Sequence, residues 1–366
     1  MLEICYFGIT KAFNSNNSLN LVIKKGLQKN KFIVKECYAK PGLNIFKRFS
    51  SLIFQYFKYC RNCKVILVAE FGQTKMFLVK LIGLIDKKPV IFNPIVSLYD
   101  SYVLDRKNVK PNSFLAKKYF YLDKIAMNLA DIVLVDTNEH LKYFQELFNL
   151  KKEKMKVMYV GADDENFYPR VKNKKDQFFK IVFYGTFIPV HGVEYIIKAA
   201  NILKEQSDIK FEIIGSGQEE EKIKSLAKEL NLENISFHDS VDYSILPELI
   251  CEADVCLGLF GSSDKTKRAI PSKVYESMAM EKAVITGDSL AVREVFENKK
   301  HILLCNVADP ESLANSIMEL KKDEMLRETI AKEGYQKVKN SFSTEATGRN
   351  IKILILEIID KYRNRR

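Results

Sequence analysis

Residues 271–288 read PSKVYESMAMEKAVITGD. Ser272 is an N-cap type of residue and Pro271 a first-turn type, so a short helix begins here. AVITG follows within a few residues, a compact apolar run closed by glycine, which is the mark of a buried strand. A helix feeding directly into such a strand is the repeating step of a parallel sheet covered by helices.

The same alternation runs outward in both directions. Upstream, FKIVFYGTF, IKFEIIGSG, ISFHDSV and DVCLGLF read as strands, with helices in VEYIIKAANILKEQ, QEEEKIKSLAKELN and YSILPELICEA between them. Downstream come a helix over 290–297, the strand ILLC and a helix over 310–321. The first half repeats the pattern with strands EICYFGI, FIVKECYA, KVILVAE, PVIFNPI, DIVLVDT and MKVMYVG. Its helices run through SLNLVIKKGLQ, over 44–60, near 74–85, near 112–130 and through NEHLKYFQELF. Residues 161–177, GADDENFYPRVKNKKDQ, interrupt the pattern with turn formers, a proline and lysines, and read as a linker. The expected architecture is α/β, with two Rossmann-like doubly wound domains, 1–165 and 166–346, facing each other across a cleft. A C-terminal helix over 347–366 is expected to pack back on the first domain.

At 366 residues and 47% hydrophobic, the chain can build two cores and is not disordered. MLEICYFGIT lacks the basic start and long apolar stretch of a secretory signal. The runs MFLVKLIGLI and IKILILEII are about half of what a bilayer span requires. The expected location is cytoplasmic, where the seven cysteines stay reduced. Cys60 and Cys63 form a lone C-x-x-C with no second pair at zinc spacing, so they read as packing and no metal site is expected.

Formal net charge is +12, and residues 1–170 hold 28 Lys and Arg against 15 Asp and Glu, while the remainder holds 30 against 31. The whole excess sits in the first half. Either lysine is simply the solvated surface residue here, or that half faces a polyanion.

Glu276 stands four residues past Ser272, about 6 Å along the helix and on the same face. At the helix start, the amides of Ser272, Lys273 and Val274 would be unpaired donors at a positive dipole end, with the Lys273 charge added. That spacing is roughly the separation of a diphosphate from the ribose hydroxyls of its nucleotide. Glu276 is therefore the candidate ribose ligand.

PSKVYESMAMEKAVITGDSLAVREVFE resembles the nucleotide-sugar-binding signature of retaining glycosyltransferases of family 4, whose architecture is GT-B. VFYGTFIPVHGVEYIIKAANIL and IIGSGQEEEKIKSLAKELNLENISFHDSV are similar to the first two units of that family's donor domain, and YVGADDENFYP to its linker. The resemblance spans 157–340 and, more loosely, 1–156. It implies that Glu276 contacts the ribose, that the loop from Gly185 to Gly192 faces the diphosphate, and that Ser240 and Val241 touch the base through their backbone. It also implies front-face transfer with retention and without a metal, the donor's β-phosphate taking the acceptor proton. A UDP-sugar is the expected donor.

The chain departs from the family in three places. Arg268 replaces a glutamate that contacts the transferred sugar, and Thr186 and His191 replace the arginine and lysine of the phosphate loop. His191 either donates to a phosphate oxygen or closes a turn; Lys267, Arg268 and Lys273 are the cations that could restore the charge. On the acceptor side only Gly8 remains of a glycine-rich loop. In FNPIVSLYDSYVLDR, Asp100 either meets the acceptor hydroxyl or caps a helix, with Asp105 and Arg106 as second choices.

Residues 40–64 repeat apolar side chains at helical spacing, with Lys47, Arg48, Lys58, Arg61 and Lys64 among them. This is either an interfacial amphipathic helix or a layer helix packed on the sheet. The expected function is transfer of a hexose or N-acetylhexosamine to a glycan or lipid-linked acceptor in surface polysaccharide, lipopolysaccharide or glycoprotein biosynthesis. The expected setting is peripheral, on the inner face of the cell membrane, with anionic lipid rather than nucleic acid as partner. The alternative is a degenerate, non-catalytic GT-B protein that supports an active transferase.

Overall fold

A computed structural model describes residues 1–10, 18–40, 42–171 and 177–364. Arg365 and Arg366 of the basic tail and residues 172–176 of the linker lie outside the described residues. The chain forms two units, Met1–Tyr159 with Thr344–Arg366, and Val160–Ser343. The first break falls ahead of the expected 165 because the Ala162 amide already bonds the Phe342 carbonyl at 2.9 Å, tying both chain passages into the second unit.

In the first unit, β1 (Leu2–Thr10), β2 (Phe32–Ala39), β3 (Val65–Val68), β4 (Val90–Phe92), β5 (Ile132–Val135) and β6 (Met155–Val157) make one sheet in the order β2-β1-β3-β4-β5-β6. All neighbours are parallel. VILV, VIF and IVLV are buried throughout, as strands covered on both faces must be. One face carries α2 (Ile45–Gln55), α3 (Met76–Ile85), α4 (Phe114–Leu129) and α5 (Asn138–Phe148), whose Leu52, Val79, Met127 and Phe144 share a core with Phe7, Val68 and Phe92. α1 (Ser18–Lys29) links β1 to β2 in the opposite lateral direction, so a right-handed crossover puts it on the other face. The C-terminal helix α13 (Thr344–Asn364) packs on α1, with Gly26 and Gly348 in backbone contact.

One of the expected helices takes another form. The one over 44–60 is α-helical only to Gln55 and closes in a π-type turn, Tyr56–Cys60. Cys60 and Cys63 are buried free thiols in the core.

The second unit repeats the scheme with β7 (Phe179–Tyr184), α6 (Val193–Ile202), β8 (Ile209–Ile214), α7 (Glu220–Glu229), β9 (Ile235–His238), α8 (Leu246–Cys251), β10 (Val255–Leu257), α9 (Ser272–Ala279) and β11 (Ala283–Gly287). α10 (Leu290–Arg293), β12 (Leu303–Cys305), α11 (Pro310–Lys322) and α12 (Glu324–Ser341) complete it. The sheet order is β12-β11-β10-β7-β8-β9, all parallel. α10 ends at Arg293, short of the 297 expected. α12 is absent from the sequence expectation, because its text is polar and only Ile330, Gly334 and Val338 are buried, a stripe one residue wide.

Candidate functional site

The chain leaves β7 toward β8 on one side and β10 toward β11 on the other. The loops after β7 and β10 therefore diverge and open a crevice at the carboxyl ends of the strands, the switch point where open α/β sheets take ligands. Gly185 follows β7, and α9 follows β10.

Pro271, with φ −74 and ψ 153, occupies the cap of α9, and no side chain caps it. Ser272 is thus the first helical residue and not the cap. The Val274 amide closes the first turn on the Pro271 carbonyl at 3.0 Å, so it is not the open donor expected. The Ser272 and Lys273 amides are left at the positive end of the helix.

Lys273 is 6% exposed and its Nζ has no hydrogen-bond partner among the described residues. The ammonium sits 3.9 Å from the centroid of the Phe183 ring. It points at the turn after β7: a Cβ built on Gly185, where φ is +144, would lie 2.7 Å from Nζ and 3.2 Å from His191 Cε1. Only glycine leaves this space open. Burial lowers the Lys273 pKa to about 7, with Glu276 partly opposing the shift. A buried lysine whose Nζ has no hydrogen-bond partner among the described residues, beside a glycine turn and a helix start, suits an anion.

His191 Nδ1 lies 2.5 Å from the Thr186 carbonyl, an arrangement that requires the proton on Nδ1. The imidazole closes the 186–191 loop, and its Nε2 can donate to an anion only as imidazolium. Gly192, at φ 64, lets that loop pass Phe260, whose carbonyl carbon would be 2.4 Å from an added Cβ.

Glu276 is 3% exposed, and each carboxylate oxygen faces a tyrosine: Oε2 is 3.2 Å from Tyr184 Oη and Oε1 3.1 Å from Tyr243 Oη. Tyr184 ends β7, and burial pushes its pKa well up, with Glu276 adding to the shift, so it stays a donor. Tyr243 stands in the loop after β9 with half-buried Val241, and Ser240 bonds Ser216 at 2.9 Å in the same region. The carboxylate is thus fixed in place by side chains from a strand end and a loop. Neither tyrosine was foreseen; a Tyr at the end of an otherwise apolar strand was the available signal.

Arg268 is half-buried and ends the 3₁₀ turn Asp264–Lys267. Lys267 is exposed and pairs with Asp264 at 3.0 Å, whereas Lys273 is buried.

The matching switch point of the first unit lies between β1 and β3. Gly8, with φ +87, accepts from Lys75 Nζ through its carbonyl at 2.7 Å. Burial brings the Lys75 pKa down to about 8, with nearby Arg48 adding to the shift. Glu70, just past β3, accepts from Asn20 at 2.7 Å, and burial pushes its pKa up to about 7. Sequence reasoning missed both, since a single acid or lysine after a strand carries no pattern. Asp100 opens a π-type turn, Asp100–Asp105, so it is not the cap of a following α-helix. It accepts from Tyr143 Oη at 3.1 Å, while Asp105 is buried in the same turn and Arg106 lies 5.3 Å over Tyr102.

Residues 164–337 match the family model of the glycosyl transferases group 1, nearly the whole of the second unit. The second unit is similar to that group along nearly its whole length. The chain is 24% identical to the N-acetylgalactosamine-N,N'-diacetylbacillosaminyl-diphospho-undecaprenol 4-alpha-N-acetylgalactosaminyltransferase of Campylobacter jejuni, over 80% of this chain and 77% of the relative. It is 22% identical to CapM, a capsular polysaccharide biosynthesis glycosyltransferase of Staphylococcus aureus, over 76% and 79%. HepE of Anabaena in complex with UDP-glucose superposes with a TM-score of 0.73 at 14% identity, over 98% of this chain and 100% of that one. Sucrose-phosphate synthase of Thermosynechococcus elongatus gives 0.75 at 16%, over 99% and 100%. The two-domain architecture is GT-B. The group 1 match and these relatives support glycosyl transfer as the class of reaction.

Proposed function

We propose that this protein is a retaining glycosyltransferase that moves a hexose or N-acetylhexosamine from a nucleotide diphosphate sugar, with UDP as the nucleotide, to a glycan or lipid-linked acceptor. The observation that carries the reading is Lys273, a buried amine with no hydrogen-bond partner among the described residues, beside Gly185, with the clamped Glu276 less than a turn along the same helix. The diphosphate binds Lys273 and the first amides of α9, and Glu276 takes the ribose hydroxyls. Ser240 and Val241 line the base, and Arg268 lies toward the transferred sugar, where its charge suits a phosphate or an acidic sugar substituent better than a neutral hydroxyl. His191 and Thr186 shape the phosphate loop, and Gly185 and Gly192 give it room.

Transfer then needs position and charge rather than a protein nucleophile or a metal. The acceptor oxygen attacks the anomeric carbon on the face the diphosphate leaves, and the β-phosphate oxygen takes its proton. The leaving diphosphate is stabilised by Lys273. Asp100, Asp105, Arg106 and Gly8 are the acceptor-side residues in this reading. A lipid-linked acceptor is favoured by the Campylobacter relative, whose name describes a diphospho-undecaprenol substrate. A cytoplasmic, membrane-peripheral setting belongs to the same reading; among the described residues no helix is long and apolar enough to cross a bilayer. No finding supports the non-catalytic alternative.

Calorimetry with UDP tests the donor site. Glu276→Ala is expected to weaken binding by about 2–3 kcal/mol, since ribose hydroxyls lose a charged acceptor in a buried position. Affinity equal to wild type removes Glu276 from the site. Product NMR tests retention through the anomeric configuration of the transferred sugar.

A further inference from the structure

α3 is MFLVKLIGLI, and its buried side is fully accounted for by Met76, Val79, Ile82 and Gly83 against the sheet. The opposite side should be polar in a solvated layer helix. Instead Phe77, Leu81, Leu84 and Ile85 are 62, 56, 59 and 60% exposed, at i, i+4, i+7 and i+8 of one helical stripe about 12 Å long. α2 and its π-type turn expose Phe46, Phe54 and Phe57 on the same face of the sheet, and α4, packed against α3, exposes Phe114 and Tyr121. In the second unit exposed large apolar side chains come one to an element, as Ile202 of α6, Leu290 of α10 and Met325 of α12 do. Exposed apolar side chains gathered on the helices of one sheet face mark an interaction surface.

Charge identifies what it meets. From Ile45 to Ile85 there are seven Lys and Arg and one acid, Glu70, which is buried. Lys58 lies 5.5 Å over Phe54 and 5.0 Å over Tyr59, and Arg61 lies 5.8 Å over Phe57, so cations flank the exposed rings. Where α3 ends, a cavity of about 410 Å³ is lined by Arg61, Lys64, Lys87, Lys88 and Arg363 with Asp86 as its one acid. Apolar stripes bordered by cations, ending in a cationic recess, fit acyl chains below and phosphate head groups beside them.

We propose that the outer face of α2, α3 and α4 docks on an anionic phospholipid bilayer, with the α3 stripe in the interface and head-group phosphates in the recess beyond Ile85. The inference rests on the membrane part of the reading above and is independent of its donor site. The stripe runs the length of α3, from the recess to the edge of the sheet that carries Gly8 and Glu70. A lipid-borne acceptor bound there need not leave the interface.

Flotation with vesicles of phosphatidylcholine containing phosphatidylglycerol, against phosphatidylcholine alone, tests it. The full-length protein is expected to float with the anionic vesicles and to be released by salt, and to stay behind with the neutral ones. Leu81→Ser/Leu84→Ser is expected to lower anionic recovery about tenfold, because buried methylenes drive interfacial insertion. The control Ile353→Ser/Leu356→Ser, on exposed positions of α13, keeps wild-type recovery, and UDP binding with an unchanged melting curve shows each variant folded. Equal recovery on both lipids, or a Leu81→Ser/Leu84→Ser protein that floats like wild type, overturns the proposal. So does sedimentation showing that this variant merely converts a dimer to a monomer while vesicle recovery holds. Failure of UDP binding in wild type with flotation intact would instead sink the donor reading and leave this one standing.

Discussion

Lys273 and Glu276 stand three residues apart on α9, yet their surroundings are opposite. Glu276 has a tyrosine on each oxygen, and Lys273 has an aromatic ring and, among the described residues, no acceptor. A folded-state pKa near 7, against about 10.4 for a free lysine, means the native protein binds fewer protons than the unfolded chain between those values. Its burial therefore costs most below pH 7, and the cost fades as pH rises toward 10. Lys273→Met is expected to raise the melting temperature of the unliganded protein at pH 6–7 while weakening UDP binding at least tenfold. Because a diphosphate favours the ammonium, UDP binding near pH 8 takes up a proton in wild type and none in the variant. Calorimetry in buffers of different ionisation enthalpy reads this directly. Glu70 shows the same physics with the sign reversed. Its folded pKa of about 7 lies above that of a free glutamate, so its favourable contribution is complete below about pH 4 and is lost as pH passes 7. Glu70→Gln should stabilise the protein above pH 7 and make little difference at pH 4, as followed by urea unfolding across pH.

At the scale of elements, the segment after β4 is held by a residue from α4. Asp123 accepts from Ser97 Oγ at 2.8 Å, the Tyr99 amide at 2.9 Å and Gln73 at 3.2 Å, and it is fully buried. These bonds fix the start of the π-type turn that carries Asp100 and Asp105. Asp123→Ala takes the acceptor from Ser97 Oγ and the Tyr99 amide, while Gln73 keeps the Val96 carbonyl, and should cost about 2 kcal/mol in urea unfolding. UDP binding to the second unit should survive it. The helices near 112–130 and over 310–321 were readable from the alternation of segments, and the structure shows Ser113 and Asp309 capping them. The π-type turns were not, since their extra residue per turn answers packing against the sheet and has no residue signature. α12 was lost for a related reason, its core contact being too thin to register as a period.

For the whole molecule, α13 returns to the first unit after the chain has completed the second. Its seat on α1 depends on two glycines, for a Cβ on Gly348 would meet the Gly26 carbonyl at 2.1 Å. Gly348→Val is expected to force the helices apart and lower the melting transition of the first unit by several degrees, while UDP binding is retained; calorimetric scanning with and without UDP separates the two. Charge is segregated at the same scale, and the basic first half also holds the exposed apolar stripes.

The alternation of β-branched runs with amphipathic segments determined two parallel α/β layers, because a strand buried on both faces and a helix buried on one leave different periods in the text. Glu276 and the helix start at Ser272 were legible for the same reason, a carboxylate standing where periodicity predicts burial. Only the tertiary structure decided that Lys273 is the unpartnered cation and Lys267 is not, that Tyr184 and Tyr243 clamp Glu276, and that α3 faces outward with its leucines. Those facts depend on which side chains from distant strands arrive at one place, and local sequence holds no record of that.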